Sequence, residues 1–191
     1  MGDDMVKTKS KARRRIVKAM IKLLKTESFE AITIKQICAE SGVHRSTFYA
    51  QFEDKYQLFN LLIRYHMAKY EKLMQSTSKV IGTYPLVESK RRIIKTFRIL
   101  FKYLERHRTF FTAILVTRPQ LHVIRQFLHF TNEAYESLLA QLPKMHQPHY
   151  FIHYTIGGEL ALIYSWLSQG CQESPDEMAH ILYTNIIKAE R

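Results

Sequence analysis

The chain has 191 residues, of which 46% are hydrophobic and 24% charged, so disorder throughout the chain is excluded. It contains only six glycines and five prolines, which argues against an all-β protein with its many tight turns. The two cysteines, Cys38 and Cys171, lie far apart in sequence; they exclude a disulfide scaffold and are typical of a reducing compartment, which predicts a cytoplasmic protein.

The charge is strongly basic. Lysine and arginine number 29 against 17 acidic residues, which gives a net charge of +12. Proteins this basic usually meet a polyanion, either a nucleic acid or an anionic membrane surface, although solubility alone is the simpler explanation. Nine basic residues and no acidic one lie between Lys7 and Lys25, so we expect the polyanion to meet the N-terminal part of the chain.

The most apolar stretch, Tyr150 to Leu167, does not read as a membrane span. It carries His153, Glu159 and a Gly157-Gly158 pair, which a membrane span tolerates poorly. A helix that is apolar nearly all round can also be buried in a protein core, and that is our prediction here. We therefore expect no membrane partner.

Helical periodicity dominates the chain and predicts an all-α fold. Apolar residues from Ile16 to Leu24 recur on one helix face, with Ser10 as a plausible cap. Capping boxes at Thr33 and Asp54 predict helices from there to about Glu40 and Met74, with a short helix at about 45–50 between them. Further helices are predicted at about 86–106, 108–116, 119–142, 148–169 and 175–189, the last capped by Ser174.

The segment 33–51 has the spacing of a helix-turn-helix. A helix is followed by the turn Ser41-Gly42-Val43 and then by a short helix. In such a unit the first helix crosses the phosphate backbone, and the start of the second helix enters the major groove. The residues from His44 to Tyr49 supply the short and long hydrogen-bond donors that this task needs. Ile37, Val43 and Phe48 are predicted to form the small core between the helices.

With these residues in place, the segment 29–58 resembles the DNA-binding domain of TetR-family transcriptional regulators. The combination that carries the resemblance is Thr33, Ile37, Gly42, Val43, Thr47, Tyr49, Phe52, Lys55 and Leu58. Phe97 to Leu115 and Gly157 to Pro175 are similar to the C-terminal domain of a Firmicute-type branch of that family. The resemblance implies residues 1–53 as the DNA-binding domain, a connecting helix at 54–74, and a larger helical regulatory and dimerisation domain at 75–191.

The resemblance also implies site residues. Double-stranded DNA is the expected partner, with Arg45 as the candidate for a base edge. Phosphates are expected at Thr33, Ser46, Thr47, Tyr49 and Lys55, while His44 is either a weak helix cap or a phosphate donor. Lys9, Lys11, Arg13 and Arg14 form a candidate arm along the DNA, the alternatives being a solvated helix face or a contact with a membrane or partner groove.

The same resemblance implies that the regulatory half pairs two subunits into a homodimer through its last two helices. The candidate interface residues are Ile156, Gly157, Leu160, Ile163, Ile181 and Asn185. Glycines inside a helix are costly, so Gly157 and Gly158 favour close approach of a partner helix, with a kink near a ligand cavity as the alternative.

Many aromatic residues occupy the same half of the chain and form either a core or the lining of a cavity for a small-molecule effector of unidentified chemistry. The candidate ligand-binding residues are Phe97, Phe101, Phe111, Tyr135 and Trp166.

Catalysis finds no support in the sequence. It contains no glycine-rich phosphate loop, no His-Glu-x-x-His and no Gly-x-Ser-x-Gly, so no catalytic residue, cofactor or enzyme activity is predicted. His146, His149 and His153 are too poor a ligand set for us to predict a metal site. The sequence thus predicts an effector-responsive repressor that binds a palindromic operator as a homodimer. The alternative is a co-regulator of the same fold whose C-terminal domain binds a protein partner rather than a small molecule.

Overall fold

A computed structural model describes residues 11–78, 86–140 and 147–189 of the chain. Every regular element in these ranges is helical, which confirms the all-α prediction. The first four helices are α1 (Lys11–Leu23), α2 (Ile34–Ser41), α3 (Arg45–Tyr49) and α4 (Lys55–Ser78). They are followed by α5 (Leu86–Arg106), α6 (Arg108–Phe111), α7 (Leu121–Leu139), α8 (Pro148–Ser168) and α9 (Pro175–Ala189).

The first three helices form a compact head. Ile16, Met20, Ile37 and Phe48 are completely buried between them, and Val43 packs at the edge of this core, as predicted. Cys38 is also buried there. The long helix α4 begins in this head and continues into the second part of the chain, where it packs against α7 and α5.

The larger part of the molecule is built from helices packed in pairs. α4 packs along α7, and α5 packs along α9, where Arg98 and Asp176 form an ion pair. Trp166 of α8 is buried against Phe101 of α5, with the two rings edge to face and their centroids 5.2 Å apart. The predicted Ser174 cap is confirmed, since its Oγ accepts a hydrogen bond from the backbone N–H of Glu177 at 3.2 Å.

One stretch departs from regular α geometry. The predicted helix at 108–116 is split into α6 and a π-helical continuation at Thr112–Thr117. The wider π turn shifts the side chains that follow Phe111 relative to an α-helix, and such turns often occur near functional sites. Here the segment carries Leu115 to the wall of the cavity described below.

Candidate DNA-binding surface and ligand cavity

The turn between α2 and α3 is fixed by its caps. The side chain of Thr33 accepts from the backbone N–H of Gln36 at 3.3 Å, and Gln36 Oε1 accepts from the N–H of Thr33 at 2.8 Å, which confirms the predicted capping box. α2 ends on Gly42 in the left-handed region, at φ 61° and ψ 39°. The guanidinium of Arg15 on α1 donates to the carbonyl of Gly42 at 2.7 Å, so α1 holds this turn in place.

The short helix α3 presents an outward row of hydrogen-bonding side chains. His44, Arg45, Ser46 and Tyr49 are exposed, and Thr47 is half-buried. Within the described ranges none of these five side chains makes a hydrogen bond or an ion pair. His44 lies at the N-cap position of α3 but makes no side-chain cap, so of its two predicted roles the structure does not provide the first. The donors of α3 are therefore available to an external partner.

Basic residues on α1 behave differently from those on α3. Arg13 donates to the carbonyl of Gln51 at 3.0 Å, and its guanidinium lies 4.4 Å from the centre of the Phe52 ring. Lys22 forms an ion pair with Glu40 of α2 at 2.6 Å. Part of the basic face of α1 therefore holds the head together. Of the predicted arm, Lys11 and Arg14 are exposed at the start of α1, and Lys9 lies outside the described residues.

Lys55 has an internal role that the sequence did not reveal. Its ammonium donates to the backbone carbonyls of Phe29, Glu30 and Ile32 at 3.1, 2.8 and 2.7 Å. An ammonium has three donors, so all of them are engaged within the chain. The predicted phosphate contact stays a prediction, and in the free protein Lys55 ties the start of α4 to the loop before α2.

The second feature is an apolar cavity of about 310 Å³ among α4, α5, the α6 region, α7 and α8. Of the five aromatic residues predicted to bind a ligand, only Phe111 lines it. Phe97, Phe101, Tyr135 and Trp166 are buried in the helical core instead, because their helices turn them toward neighbouring helices rather than toward the cavity. The wall comes largely from α4, which contributes His66, Met67, Lys69, Tyr70, Lys72, Leu73 and Ser76.

The sequence did carry a signal for this wall. His66, Tyr70 and Leu73 follow helical spacing along one face of α4, and Ser76 continues it. This spacing alone does not distinguish a helix face that lines a cavity from one that packs in the core. The ten steps from His66 to Ser76 correspond to a length of about 15 Å along the helix axis.

The cavity wall combines buried and exposed residues. His66, Phe111 and Leu100 are buried. Lys69, Lys72 and Ser76 are exposed, and Ile99 of α5 is 47% exposed. The ammonium of Lys69 lies 5.6 Å from the centre of the Tyr65 ring. The cavity is therefore lined mainly by apolar side chains, with two lysines on its exposed side.

A buried polar cluster adjoins the cavity wall. Tyr70 of α4 forms a short hydrogen bond with Thr131 of α7, and Glu159 of α8 lies close enough to raise the pKa of both Tyr70 and Tyr135, beyond the effect of burial. Glu159 is 2% exposed, and its Oε1 has no partner in the described ranges. Burial raises the pKa of this carboxyl from 4.5 to about 8. Nothing in the sequence indicated this cluster.

The predicted interface residues fall into two groups. Ile156 and Ile163 are buried within their own subunit, and Leu160 is half-buried in the cavity wall. Gly157, Ile181 and Asn185 are exposed. Ile156 and Ile163 point inward because α8 packs against α7, the π-helical segment and α9, so these two residues are not available to a partner in this structure.

Two further features concern membranes and metals. Across the described ranges, no helix combines the length and hydrophobicity that a membrane crossing requires. The same ranges hold no group of three or more metal-ligating side chains. The rings of His149 and His153 are tilted by 51° with their centres 4.2 Å apart, and His146 lies outside the described residues.

Comparisons with known proteins agree with this architecture. The family of bacterial regulatory proteins called tetR matches residues 16–62, and a transcriptional regulator C-terminal region matches residues 92–188, which is more than half of the chain. An uncharacterised helix-turn-helix transcriptional regulator of Bacillus subtilis, YerO, is 24% identical over 119 residues, which is 61% of this chain and 40% of the relative. The chain thus aligns with less than half of the length of that curated relative.

Two solved structures have the same fold at low identity. The fatty acid degradation regulator FadR from Bacillus halodurans is 13% identical with a TM-score of 0.73, covering 95% of this chain and 97% of that one. The regulator FadR from Bacillus subtilis, solved in complex with stearoyl-CoA, is 11% identical with a TM-score of 0.70, covering 92% and 98%. Taken with the two family matches, the capped helix-turn-helix and the all-helical second part place this chain in the TetR family of transcriptional regulators.

Proposed function

We propose that this protein is a homodimeric repressor that binds a palindromic operator and releases it when a small molecule enters the cavity. The observation that carries the proposal is the contrast between two sets of basic and polar side chains in the head. Arg13, Arg15, Lys22 and Lys55 are engaged within the chain. By contrast, Arg45, Ser46 and Tyr49 on α3 are exposed and make no side-chain hydrogen bond or ion pair in the described ranges. Exposed, unengaged donors at the start of a recognition helix are what base and phosphate contacts require.

We assign a different function to each of three successive segments of the chain. Residues 1–53 bind DNA, the helix at 54–74 connects, and residues 75–191 regulate and dimerise. α4 belongs to both parts, since its first residues contact the head and its later residues line the cavity. A ligand that binds one orientation of α4 better than another would shift the head, and only such differential affinity can change DNA binding.

The proposed dimer surface is the exposed face of α8 with the end of α9. Tyr150 and Tyr154 are 71% and 73% exposed, and Tyr164 follows on the same face of α8. A β-carbon at Gly157 or Gly158 would meet nothing within 4 Å in the single chain, so the chain's own packing does not explain two glycines there. Close approach of the partner's α8 would explain them, with Ile181 and Asn185 at the edge of the same surface.

The proposed effector has a large apolar part. The residues that line the cavity are mostly apolar, and its two lysines, Lys69 and Lys72, are exposed. That the regulator FadR from Bacillus subtilis binds stearoyl-CoA supports an effector with a long apolar portion.

The decisive experiment is equilibrium binding of the purified protein to the DNA upstream of its own gene, with random DNA as competitor. We expect a preference of about 1000-fold or more for the upstream DNA, and a strong loss in Arg45→Ala. Arg91→Ala is the matched control, since Arg91 is also exposed but lies on α5 away from the head. Equal affinity for both DNAs, or equal losses in the two variants, would contradict sequence-specific readout through Arg45.

A further inference from the structure

The polar side chains that line the cavity differ in what they still offer to a ligand. Several are already hydrogen-bonded within the chain: His66 with Tyr103, Tyr70 with Thr131, and Ser76 with the carbonyl of Leu73. The Nε2 of His66 is buried inside the protein, so a ligand cannot reach it. By contrast, the exposed ammonium groups of Lys69 and Lys72 make no hydrogen bond and no ion pair in the described ranges.

The two lysines form a cationic pair on the exposed side of the cavity. They lie three residues apart on α4, a spacing that places β-carbons about 5–6 Å apart on one side of a helix. The ammonium of Lys69 lies 5.6 Å from the centre of the Tyr65 ring, near the limit of cation–π attraction, and this contact gives its N–H groups no oxygen acceptor. Two like charges this close repel each other, so a bound anion would stabilise both.

Among the described residues, no carboxylate forms an ion pair with these lysines. The cavity lining contains no aspartate and no glutamate. Glu71, which lies between the two lysines in sequence, accepts a hydrogen bond from Gln75 at 3.1 Å. Glu159 lies near Tyr70 of the wall, but burial raises the pKa of Glu159 to about 8, so this carboxyl is mostly uncharged at neutral pH. The two ammonium groups therefore keep their charge beside an apolar surface.

The volume of the cavity sets the size of the apolar part of a ligand. Its 310 Å³ holds about ten groups of the size of a water molecule or a methylene, at roughly 30 Å³ each. The surrounding side chains, such as Leu100, Leu104 and Phe127, are aliphatic and aromatic. Because both lysines belong to the lining itself, an anionic group that reaches them is attached directly to the apolar chain rather than through a long polar linker.

We propose that the effector is a carboxylate on a single apolar chain of about ten carbons, with the chain in the cavity and the carboxylate bound by Lys69 and Lys72. This inference rests on the proposed effector function of the cavity. A carboxylate accepts hydrogen bonds from two ammonium groups at once, and such charge-assisted bonds are strong. An uncharged chain would leave the cationic pair without a partner, and a cationic chain would be repelled by it.

The test uses three probes with the same chain and different end groups, namely decanoate, 1-decanol and decylammonium. Each is titrated as a competitor of N-phenyl-1-naphthylamine, an uncharged fluorescent reporter, on the purified full-length protein without DNA. Burial in apolar surroundings alone favours the uncharged alcohol over the ionised acid, because a charge is costly to remove from water. A preference for decanoate therefore reports the contact with the lysines rather than burial of the chain.

We expect decanoate to compete about tenfold more strongly than 1-decanol, and decylammonium to compete most weakly. The double variant Lys69→Met/Lys72→Met keeps the unbranched stems and removes the charges. It should bind decanoate about tenfold more weakly and 1-decanol as wild type does. Lys18→Met/Lys35→Met is the matched control: it removes the same charge from exposed positions in the head and should leave all three affinities unchanged.

Two results would overturn the proposal while leaving the cavity as an effector site. One is competition by 1-decanol as strong as that by decanoate, and the other is a double variant that binds decanoate like wild type. If none of the three probes displaces the reporter, the cavity takes no such chain and the proposal fails as well. Operator binding is measured separately without any probe, so a failure of the carboxylate contact and a failure of the repressor function give different results.

Discussion

Arg15 donates to the carbonyl of Gly42 at 2.7 Å, and this bond crosses from the middle of α1 to the turn of the helix-turn-helix. Gly42 has φ 61°, and a β-carbon there would overlap the guanidinium of Arg15. The glycine therefore serves two needs at once, a left-handed backbone and room for the arginine. Because the turn sets the angle between α2 and α3, this contact fixes how α3 projects from the head.

Replacing this glycine should destabilise the protein. In Gly42→Ala we expect the free energy of unfolding to fall by about 1–2 kcal/mol, since an alanine is strained in the left-handed region and its methyl displaces Arg15. Chemical denaturation followed by circular dichroism measures the change. Gly170→Ala is the matched control: Gly170 is also left-handed, at φ 79°, but a β-carbon there meets nothing within 4 Å, so its loss of stability should be smaller than that of Gly42→Ala. A Gly42→Ala protein as stable as wild type would contradict this account.

Substitutions of Lys55 and Arg45 should have different effects on the free energy of unfolding. Lys55→Met removes three hydrogen bonds to backbone carbonyls at the junction of α4 and the head, so we expect a loss of roughly 1–3 kcal/mol in the free energy of unfolding. Arg45→Ala removes an exposed side chain without a bonding partner in the described residues and should leave stability within about 0.5 kcal/mol. The same denaturation experiment measures both.

A different result for Lys55→Met would contradict an internal role of Lys55. If Lys55→Met unfolds like wild type but loses DNA affinity with a shallower dependence on salt concentration, Lys55 binds a phosphate, as the family resemblance implies. Full stability together with full DNA affinity would leave no role for the three carbonyl contacts.

The head was predictable from sequence because its signals are local. The Thr33 capping box, the Gly42 turn and the spacing of Ile37 and Phe48 each act within a few residues, and all are found as predicted. The internal roles of Arg13 and Lys55 were not predictable, because each joins residues 23 to 38 positions apart. The sequence does not show whether a basic side chain contacts a DNA phosphate or a backbone carbonyl of its own chain.

The cavity was the least predictable feature. Aromatic composition favoured a ligand site but did not distinguish core from lining, so Trp166 and Phe101 were assigned to the cavity although they pack against each other. The lining depends on how α4, α5 and α8 are rotated about their axes, which is set by packing between distant segments. For the same reason the sequence did not show whether Glu159, the acidic residue of the apolar stretch, faces the core or the surface.

The buried carboxyl of Glu159 should make stability fall as the pH rises. Its pKa is raised to about 8 in the folded protein, whereas the unfolded value is near 4.5. Below pH 4.5 both states hold the proton. Between pH 4.5 and 8 the unfolded state loses it and the folded state keeps it, so unfolding becomes more favourable, on the order of 3–5 kcal/mol by pH 8.

Glu159→Gln is neutral at every pH and should lack this decline. The free energy of unfolding of both proteins is measured by denaturant titration from pH 4.5 to 8. The difference between the two curves isolates Glu159, because His66, whose lowered pKa acts in the opposite direction at low pH, is present in both proteins. Parallel curves would show that Glu159 is already ionised in the folded protein.

The exposed face of α8 gives a test of the dimer that does not depend on DNA. Tyr154 is 73% exposed in the single chain and lies one turn before Gly157, where the partner's α8 is proposed to approach. We expect Tyr154→Arg and Gly157→Arg to dissociate the dimer, because each places a charge in an apolar, closely packed seam. Sedimentation velocity at several concentrations measures the result, with circular dichroism confirming that each subunit stays folded.

Arg125 on α7 provides the matched control, since it is exposed outside the proposed seam and Arg125→Glu reverses a charge there. This variant should remain dimeric. If the dimer persists in both α8 variants, the seam lies elsewhere and the two glycines need another explanation, of which a kink beside the cavity is the one already raised by the sequence. If it dissociates, specific DNA affinity should fall with it, because one subunit reaches only one half of a palindrome.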